Sequence, residues 1–311
     1  MSKIDKVAGW DAYTIASDDQ STQAQFLPDR GAMGCSLIMP GSNGPRELLF
    51  LHDYFNDPNE KRFTGGWPFC FPVCGRLKRY GQEGYYYYDG QVYQLDIHGF
   101  ASQLPWEVVD FGEQHLHMRL SATAATLAQY PFEFEIELAY HISRGLLECR
   151  QTYKNKGARP MPYYAGFHPY FATPGLKQGK ANVVFNCEPV KSLAYNETLT
   201  DLIGGCETFP LPTSITADIN ERLLVLGQNK TTQLTYPDGD ILKMTVTGVE
   251  DPNLFPYLQI YTPLKQPFIC IEPWMGHPNA LNSVEGVRWL APGASEHGDL
   301  SLELRVGSFV G

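Results

Sequence analysis

The sequence lacks any segment able to cross a membrane or to direct secretion. No run of about 18 consecutive apolar residues occurs in the chain. Residues 1–6 contain no apolar stretch of the kind that forms the centre of a signal peptide. We therefore expect a cytoplasmic protein with no membrane span.

Positive charge is also scarce. Lys and Arg together number 24, against 34 Asp and Glu, which gives a net charge of −10 over 311 residues. Nucleic acids and anionic membranes are bound by basic surfaces, so this balance argues against both as partners. A neutral or polar small molecule fits the composition better.

Cysteine patterns that would indicate disulfides or zinc are missing. The seven cysteines are odd in number and scattered, and Cys70-x-x-x-Cys74 has neither zinc spacing nor a second pair to complete it. The sequence contains no calcium loop, no glycine-rich phosphate loop and no Gly-x-Ser-x-Gly motif. We expect reduced thiols in the core, and no pattern here indicates a metal, a bound nucleotide or a serine nucleophile.

Helical periodicity is almost absent, and short strand patterns take its place. One or two helical turns are predicted over residues 122–129, and Pro131 ends them. Residues 132–142 alternate between apolar side chains and an acidic face, which is typical of a half-buried strand. Asp89-Gly90 follows four tyrosines and predicts a type I′ hairpin turn, while residues 61–79 are expected to form an ordered loop. The sequence predicts an all-β protein, a large antiparallel sandwich that forms one domain over residues 1–311.

One carboxylate stands out against this background. Glu272 follows the apolar run of residues 268–271 and precedes Pro273 and Trp274. Burial of an isolated carboxylate is costly unless the group is paired or hydrogen-bonded. Glu272 therefore has either a structural partner or a chemical task.

Two histidines are candidates to meet this carboxylate. His98 precedes Gly99, and a buried histidine bonded to a carbonyl is as good an interpretation of it as a ligand-binding one. His168 lies in an aromatic stretch from residue 163 to residue 171, where ordinary core packing is the alternative. Desolvation by those rings would lower the pKa of His168 and allow it to titrate near neutrality, where a general acid or base works best. His277 is expected to be exposed on a loop.

Arg76 follows the apolar residues 69–75, and its side chain either reaches solvent, pairs with an acid, or holds polar oxygens of a ligand. One glutamate, two histidines, an arginine and many aromatic rings suit a carbohydrate. Aromatic faces pack against the C–H faces of a sugar, and Glu and His move protons to and from its hydroxyls.

Several separated motifs together resemble the aldose 1-epimerase (mutarotase) family. They are Phe71-Pro72 with Gly75-Arg76, His98-Gly99-Phe100-Ala101, Trp106-Glu107-Val108, Gly166-Phe167-His168-Pro169-Tyr170-Phe171 and Glu272-Pro273-Trp274. Their order and wide separation match that family from about residue 30 to the end of the chain. The resemblance implies a galactose mutarotase-like β-supersandwich, a small-molecule aldose as partner, and neither a metal nor an organic cofactor.

The resemblance also implies roles for four residues. Glu272 would be the general base that takes the proton of the anomeric hydroxyl, and His168 the general acid that protonates the ring oxygen. His98 and Arg76 would bind sugar hydroxyls and stabilise the charge that develops on the ring oxygen. The implied reaction is interconversion of the α and β anomers of an aldose through ring opening.

The sequence departs from the family pattern in two places. Where relatives that act on hexose 6-phosphates carry an arginine before Gly-Gly-x-Pro, this chain has Thr64, with Lys61, Arg62, Lys78 and Arg79 nearby. The family's further sugar-binding aspartate has no clear counterpart, and Asp201 and Asp240 are the candidates.

Three alternatives therefore remain open beside the mutarotase interpretation. One is a hexose-6-phosphate 1-epimerase. Another is a non-catalytic carbohydrate-binding or regulatory protein on the same fold, because a fold does not determine function. A glycosidase or lyase ranks last, since glycosidases use two carboxylates and only Glu272 stands out. Either a monomer or a homodimer is compatible with the sequence.

Overall fold

The computed structural model describes residues 3–57, 60, 63–207, 210–220 and 222–307. Strands dominate it. The strands in the first half of the chain are β1 (Lys3–Val7), β2 (Trp10–Ala16), β3 (Gln23–Leu27), β4 (Met33–Gly41), β5 (Gly44–Glu47), β6 (Phe69–Cys70), β7 (Lys78–Arg79), β8 (Gln82–Glu83), β9 (Tyr85–Tyr88), β10 (Gln91–Gln94), β11 (Glu107–Phe111), β12 (His115–Ser121), β13 (Phe134–Ser143) and β14 (Leu146–Asn155). Those in the second half are β15 (Met161–Tyr163), β16 (Gly166–Phe167), β17 (Tyr170–Ala172), β18 (Val184–Asn186), β19 (Pro189–Tyr195), β20 (Leu202–Cys206), β21 (Thr213–Ser214), β22 (Arg222–Leu226), β23 (Thr231–Thr235), β24 (Ile241–Gly248), β25 (Tyr257–Tyr261), β26 (Phe268–Trp274), β27 (Arg288–Leu290) and β28 (Ser295–Arg305).

Helices are few and short in this part of the chain. The α-helices are α1 (Ala124–Gln129) and α2 (Ala280–Ser283), and single 3-10 turns occupy Pro28–Arg30, Asp53–Asn56, Ala101–Gln103, Leu176–Gln178 and Lys180–Asn182. Thr123 caps α1 through a capping box with Thr126, which confirms the short helix expected there. None of the described helices is long and apolar enough to pass through a lipid bilayer.

Three antiparallel sheets carry the architecture. The first contains β1 to β5 in chain order, and the second has the order β11-β12-β13-β14-β28-β24-β23-β18-β21. The third has the order β20-β19-β22-β25-β26-β16-β6, with β17 also paired to β26. Neighbouring strands run antiparallel, so the predicted all-β, antiparallel β-supersandwich is confirmed.

Local patterns read from the sequence agree with these elements. Along β13 the apolar side chains are buried, whereas Glu135 and Glu137 lie half-buried and share the ammonium of Lys154. Asp89 and Gly90 form the two-residue turn between β9 and β10, and both have positive φ, as a type I′ turn requires. Some expectations were wrong. The segment 61–79 is not all loop, because it contains β6, which pairs with β16. Strands β1, β19 and β20 were not predicted, because their sequences show no recognisable strand pattern.

The largest hydrophobic cluster draws side chains from all three main sheets, for example Leu37, Leu138 and Ile271. The prediction of one domain over residues 1–311 stays a prediction. All seven cysteines are free thiols, and six of them are buried, as expected.

Within the third sheet, β26 lies in the interior. It pairs with β25 on one edge and with β16 and β17 on the other. Side chains on both of its faces are buried, which explains why its sequence is an apolar run rather than an alternating one. This placement removes Glu272 from solvent and brings it next to the residues that follow β16.

Candidate active site

Glu272 is the most deeply buried carboxylate of the site, with 1% of its surface exposed. Its cross-strand neighbour on β25 is Gln259. His168 comes directly after the last residue of β16. Gly166 of β16 pairs with Trp274, which lies two residues after Glu272 on β26. The sheet therefore brings together an acid and a histidine that lie far apart in the sequence.

The two side chains face each other closely. His168 Nε2 lies 3.3 Å from Glu272 Oε2. Neither Glu272 Oε2 nor His168 Nδ1 has a hydrogen-bond partner among the described residues, although both atoms are buried. Buried polar atoms normally have partners, and those that lack one in a native structure call for an explanation. A ligand that supplies the missing partners is the explanation we pursue below.

Burial shifts both pKa values toward the neutral forms. Desolvation raises the pKa of the Glu272 carboxyl well above its usual range. Desolvation lowers the pKa of His168 to about 3. Burial therefore favours a neutral arrangement of the pair, in which Glu272 carries the proton and His168 carries no charge. The direction of the His168 shift was as expected from its aromatic surroundings, but the expectation of titration near neutrality was wrong.

His98 is held by the backbone of the segment that carries Arg76. Its Nδ1 accepts a hydrogen bond from the amide of Gly75 at 3.1 Å, and its own amide donates to the Gly75 carbonyl at 3.0 Å. Because Nδ1 accepts, the neutral ring carries its proton on Nε2, which leaves a donor for a ligand. The alternative of a ring bonded to a carbonyl was wrong. Burial, followed by the charges of His168 and Arg76, holds the pKa of His98 well below its usual range.

A glycine next to His98 allows this arrangement. Gly99 has φ of +74°, and a Cβ there would lie 2.3 Å from the carbonyl oxygen of Phe71. Only glycine fits this approach. His98 itself has φ of +64°, a conformation that costs free energy for a residue with a side chain and that is found mainly at functional sites. The His98 ring stacks on Phe63 at 4.9 Å and meets His168 edge-on at 5.1 Å.

Arg76 combines two of its expected roles. Its side chain is 42% exposed, and one guanidinium nitrogen lies 3.6 Å from a carboxylate oxygen of Glu83. Its side chain also lines the cleft that contains the acid and the histidines. The long separation from Glu83 makes this a weak surface pair, so the guanidinium can turn toward a ligand.

The cleft has a volume of about 320 Å³, which lies in the range of small-molecule sites. The four predicted residues Glu272, His168, His98 and Arg76 all line it. Sequence reasoning missed several polar or aromatic neighbours, namely Tyr195, Asn220, Gln259 and Tyr261. Gln259 accepts a hydrogen bond from the Tyr195 hydroxyl at 2.9 Å. A glutamine inside the apolar strand YLQIY was a signal that could have revealed it, whereas nothing in the sequence distinguishes Asn220.

Thr64, at the position where an arginine was expected for a phosphosugar substrate, does not line the cleft. Thr64 is buried, and its hydroxyl accepts a hydrogen bond from Arg30 at 3.3 Å. Of the proposed substitutes, Lys78 donates to Thr198 at 3.3 Å and Arg79 packs over Tyr80. The other two, Lys61 and Arg62, lie outside the described residues.

Neither candidate aspartate lines the cleft. Asp201 accepts a hydrogen bond from the Asn279 side chain at 2.7 Å. Asp240 is fully buried and lies 3.1 Å from the guanidinium of Arg46. The expectation of an exposed His277 was wrong as well. It is 7% exposed, and its Nδ1 lies 2.8 Å from the carbonyl oxygen of Pro278.

One group of donors in the described part of the chain could hold a metal ion. Cys270 lies two residues before Glu272 on β26, so both side chains share a face of the strand. One donor atom from each of His168, Cys270 and Glu272 lies within 4.8 Å of the others. Nitrogen, thiolate and carboxylate ligands are those that zinc prefers. These residues include the proposed acid and base, so a bound zinc ion would occupy the same space as a substrate.

Several known proteins are similar to this chain in sequence or in fold. LacX of Lactococcus lactis subsp. lactis, encoded on the chromosome, is 22% identical over 256 residues, which are 74% of this chain and 80% of LacX. Among solved structures, the Slr1438 protein of Synechocystis sp. PCC 6803 is 26% identical and superposes with a TM-score of 0.80 over 94% of this chain and 95% of its own. A galactose mutarotase-like protein from Clostridium acetobutylicum, at 16% identity, superposes with a TM-score of 0.79 over 98% of both chains, which shows a shared fold.

A family model also matches most of the chain. The model described as aldose 1-epimerase matches residues 11–302, a span that includes every residue of the cleft named above. The chain therefore belongs to the aldose 1-epimerase family.

Proposed function

We propose that this protein is a cofactor-independent aldose 1-epimerase that interconverts the α and β anomers of a neutral aldose. The observation that carries the proposal is the buried contact of 3.3 Å between His168 Nε2 and Glu272 Oε2. The anomeric oxygen O1 and the ring oxygen O5 of a sugar are bonded to the same carbon. An acid and a base that act on both oxygens must therefore converge within a few ångströms of each other, as these two side chains do.

The proton moves within the pair during the reaction. Glu272, as carboxylate, takes the proton of the O1 hydroxyl while His168 donates a proton to O5. The C1–O5 bond breaks and C1=O1 forms. After rotation about the C1–C2 bond, the reverse transfers close the ring on the other face of C1. The pair holds one proton throughout. Burial favours its position on Glu272 in the free site, so it passes to His168 before the ring opens and lies on Glu272 again afterwards. A positioned acid or base of this kind typically accelerates a reaction by about 10² to 10⁴.

The two remaining predicted residues act on substrate oxygens. His98 offers its Nε2–H as a hydrogen-bond donor, because Nδ1 is occupied by the Gly75 amide. Arg76 offers a planar fork of donors at the rim of the cleft. Both can bind hydroxyl groups and stabilise negative charge that develops on the ring oxygen.

A neutral sugar fits the described cleft better than a sugar phosphate. Arg76 is the one basic side chain, histidines apart, among the described residues that line it. Thr64, at the position of the expected phosphate-binding arginine, is buried beneath Arg30. The site would therefore meet a phosphate dianion with a single half-exposed guanidinium.

Polarimetry and exchange NMR test the proposal. The wild type should accelerate the mutarotation of freshly dissolved α-glucose or α-galactose more than that of glucose 6-phosphate. Glu272→Gln should abolish the acceleration, whereas Glu107→Gln, which changes an exposed glutamate on β11, should retain it. A folded wild type that binds sugars without accelerating their exchange would instead support a non-catalytic carbohydrate-binding protein. Faster turnover of glucose 6-phosphate than of glucose would support the hexose-6-phosphate alternative.

A further inference from the structure

Trp274 brings an unused hydrogen-bond donor to the catalytic cleft. Its side chain is buried and lines the cleft together with Glu272 and His168. Its Nε1 lacks a hydrogen-bond acceptor among the described residues, as Glu272 Oε2 and His168 Nδ1 lack partners. The indole nitrogen is a donor only, and buried tryptophans usually find an acceptor for it. A bound molecule that offers an oxygen would supply the missing acceptor.

The strand directs this indole to the side of the catalytic carboxylate. Trp274 lies two residues after Glu272 on β26, and side chains two residues apart share a face of a strand. The indole meets the His98 ring at 5.8 Å with an interplanar angle of 61°, and His98 meets the His168 ring at 5.1 Å. Three nitrogen-bearing rings therefore follow one another along the cleft, beside the carboxylate that takes the O1 proton.

His98 and Trp274 both offer neutral N–H groups. His98 carries its proton on Nε2, because Nδ1 accepts from the Gly75 amide. The indole nitrogen holds its only proton permanently. Neither group transfers a proton in the proposed reaction, so both can bind an oxygen without changing the proton count of the Glu272–His168 pair. Donors fixed in a cleft that excludes water stabilise developing charge far more strongly than donors in water.

A second tryptophan separates this arrangement from ordinary core packing. Trp67 is also buried, and its Nε1 also lacks an acceptor among the described residues. Its ring packs edge-on against Tyr140 and Phe167, and it does not line the cleft. What distinguishes Trp274 is its position on the cleft face, between Glu272 and His98.

We propose that the Trp274 indole N–H is a further substrate-binding donor, which stabilises the ring oxygen O5 while the C1–O5 bond breaks. This inference rests on the proposed epimerase function and adds a residue to its machinery. O5 carries more negative charge as the bond breaks than it does in the closed sugar. A donor directed at O5 therefore binds the transition state more strongly than the bound substrate, and its loss should affect kcat more than KM.

Trp274→Phe removes the N–H and keeps an aromatic ring against His98. Exchange NMR with glucose and galactose should show kcat lowered about 100-fold with little change in KM. Trp67→Phe makes the same change at the unpartnered indole outside the cleft and should retain the wild-type kcat. An unchanged kcat in Trp274→Phe, equal losses in the two variants, or a rise in KM alone would overturn the inference while leaving the epimerase function intact.

A binding experiment on the intact indole covers the case in which Trp274→Phe does not fold. Proton–nitrogen correlation spectra resolve each indole N–H, and Glu272→Gln allows a sugar to bind without turnover. Excess glucose or galactose should shift the Trp274 indole proton downfield. The Trp106 signal should stay in place, because that indole already donates to the Ala101 carbonyl at 2.9 Å. An unshifted Trp274 signal would overturn the inference in an active enzyme. If no sugar exchanges faster, the epimerase function fails; a downfield shift would then retain Trp274 as a sugar-binding donor, and no shift would overturn both.

Discussion

Replacing Glu272 with methionine should inactivate the protein and stabilise it at the same time. The wild-type carboxyl is almost fully buried, its Oε2 lacks a hydrogen-bond partner among the described residues, and its near neighbour His168 is also buried. A buried polar group without a partner costs about 1–3 kcal/mol of the free energy of unfolding. Methionine has a similar length and flexibility and carries no group to desolvate. We therefore expect Glu272→Met to raise the free energy of unfolding by about 1–3 kcal/mol.

The gain should depend on pH in a defined direction. Burial raises the folded-state pKa of Glu272 well above its ordinary value of 4.5. Above pH 4.5 the unfolded wild type loses this proton while the folded protein keeps it, so wild-type stability falls as pH rises, by up to about 1.4 kcal/mol per pH unit. Glu272→Met lacks this loss. The difference in free energy of unfolding between the variant and the wild type should therefore grow from pH 5 to pH 7. The pH-dependent contribution of His168 is present in both proteins and cancels to first order.

Gln259 supplies the matched control. It faces Glu272 across the strand pair, is nearly as buried, and has both ends of its amide bonded, to the Tyr195 hydroxyl and to the Ile260 carbonyl. Gln259→Met leaves the Tyr195 hydroxyl without its acceptor and should lower the free energy of unfolding by about 1–3 kcal/mol. Urea unfolding at pH 5 and pH 7, with mutarotation followed by polarimetry, measures both effects. Destabilisation by Glu272→Met to the same degree as by Gln259→Met would refute the reasoning, since it would mean that Glu272 is a structural residue with satisfied contacts.

Three further predictions follow from the site. Arg76→Ala should raise KM about tenfold with little change in stability, because the half-exposed guanidinium forms only a long ion pair with Glu83 among the described residues. Steady-state kinetics and Tm test this, and an unchanged KM would remove Arg76 from the binding site. The His168 ring should remain neutral from pH 5 to pH 8 in NMR titrations of the free protein, because burial lowers its pKa to about 3. Since the same ring titrates near 6.5 in the unfolded chain, the stability of the protein should fall as pH falls from 6.5 toward 3. Protonation of the ring near pH 6.5 in the folded protein would contradict this prediction. Prolonged dialysis against EDTA should leave activity intact. Added Zn²⁺ should inhibit the wild type, and Cys270→Ser should weaken that inhibition. Equal sensitivity of the wild type and Cys270→Ser to Zn²⁺ would exclude Cys270 as a ligand.

The sequence identified the chemistry better than it identified the geometry. Glu272 could be found because β26 is buried on both faces, so that a single acid interrupts an otherwise apolar run. The local sequence made His98 and His168 candidates to meet that acid. Their roles beside it, together with that of Arg76, came from the resemblance to a family, because spacing in sequence does not determine which loops of a large antiparallel sheet converge. Strands β19 and β20 were missed since their residues lack alternation, and β20 contains two glycines.

Two features of the site lay beyond sequence reasoning for physical reasons. The pKa of His168 depends on how completely Tyr170, Phe63 and the neighbouring strands exclude water, and composition indicates only the direction of that effect. The metal-binding potential of Cys270 arises because it shares a strand face with Glu272 while His168 approaches from β16. In the sequence it is indistinguishable from the other core thiols.

The neutral pair also indicates which species of the proposed reaction the free site fits best. Opening of the closed sugar ring requires a Glu272 carboxylate and a His168 imidazolium, and burial disfavours both charges. Once the ring has opened, Glu272 holds the proton and His168 is neutral, which is the arrangement favoured in the free protein. The buried site therefore disfavours the charged state that initiates opening and favours the state that follows it. Hydrogen bonds from the sugar, from His98 and from Arg76 must supply the difference, and they do so most strongly where negative charge develops on the ring oxygen. On this basis the depth of burial that makes Glu272 costly to the fold also lowers the free energy of the open-chain aldehyde complex relative to the closed-sugar complex in its charged form, with Glu272 as carboxylate and His168 as imidazolium.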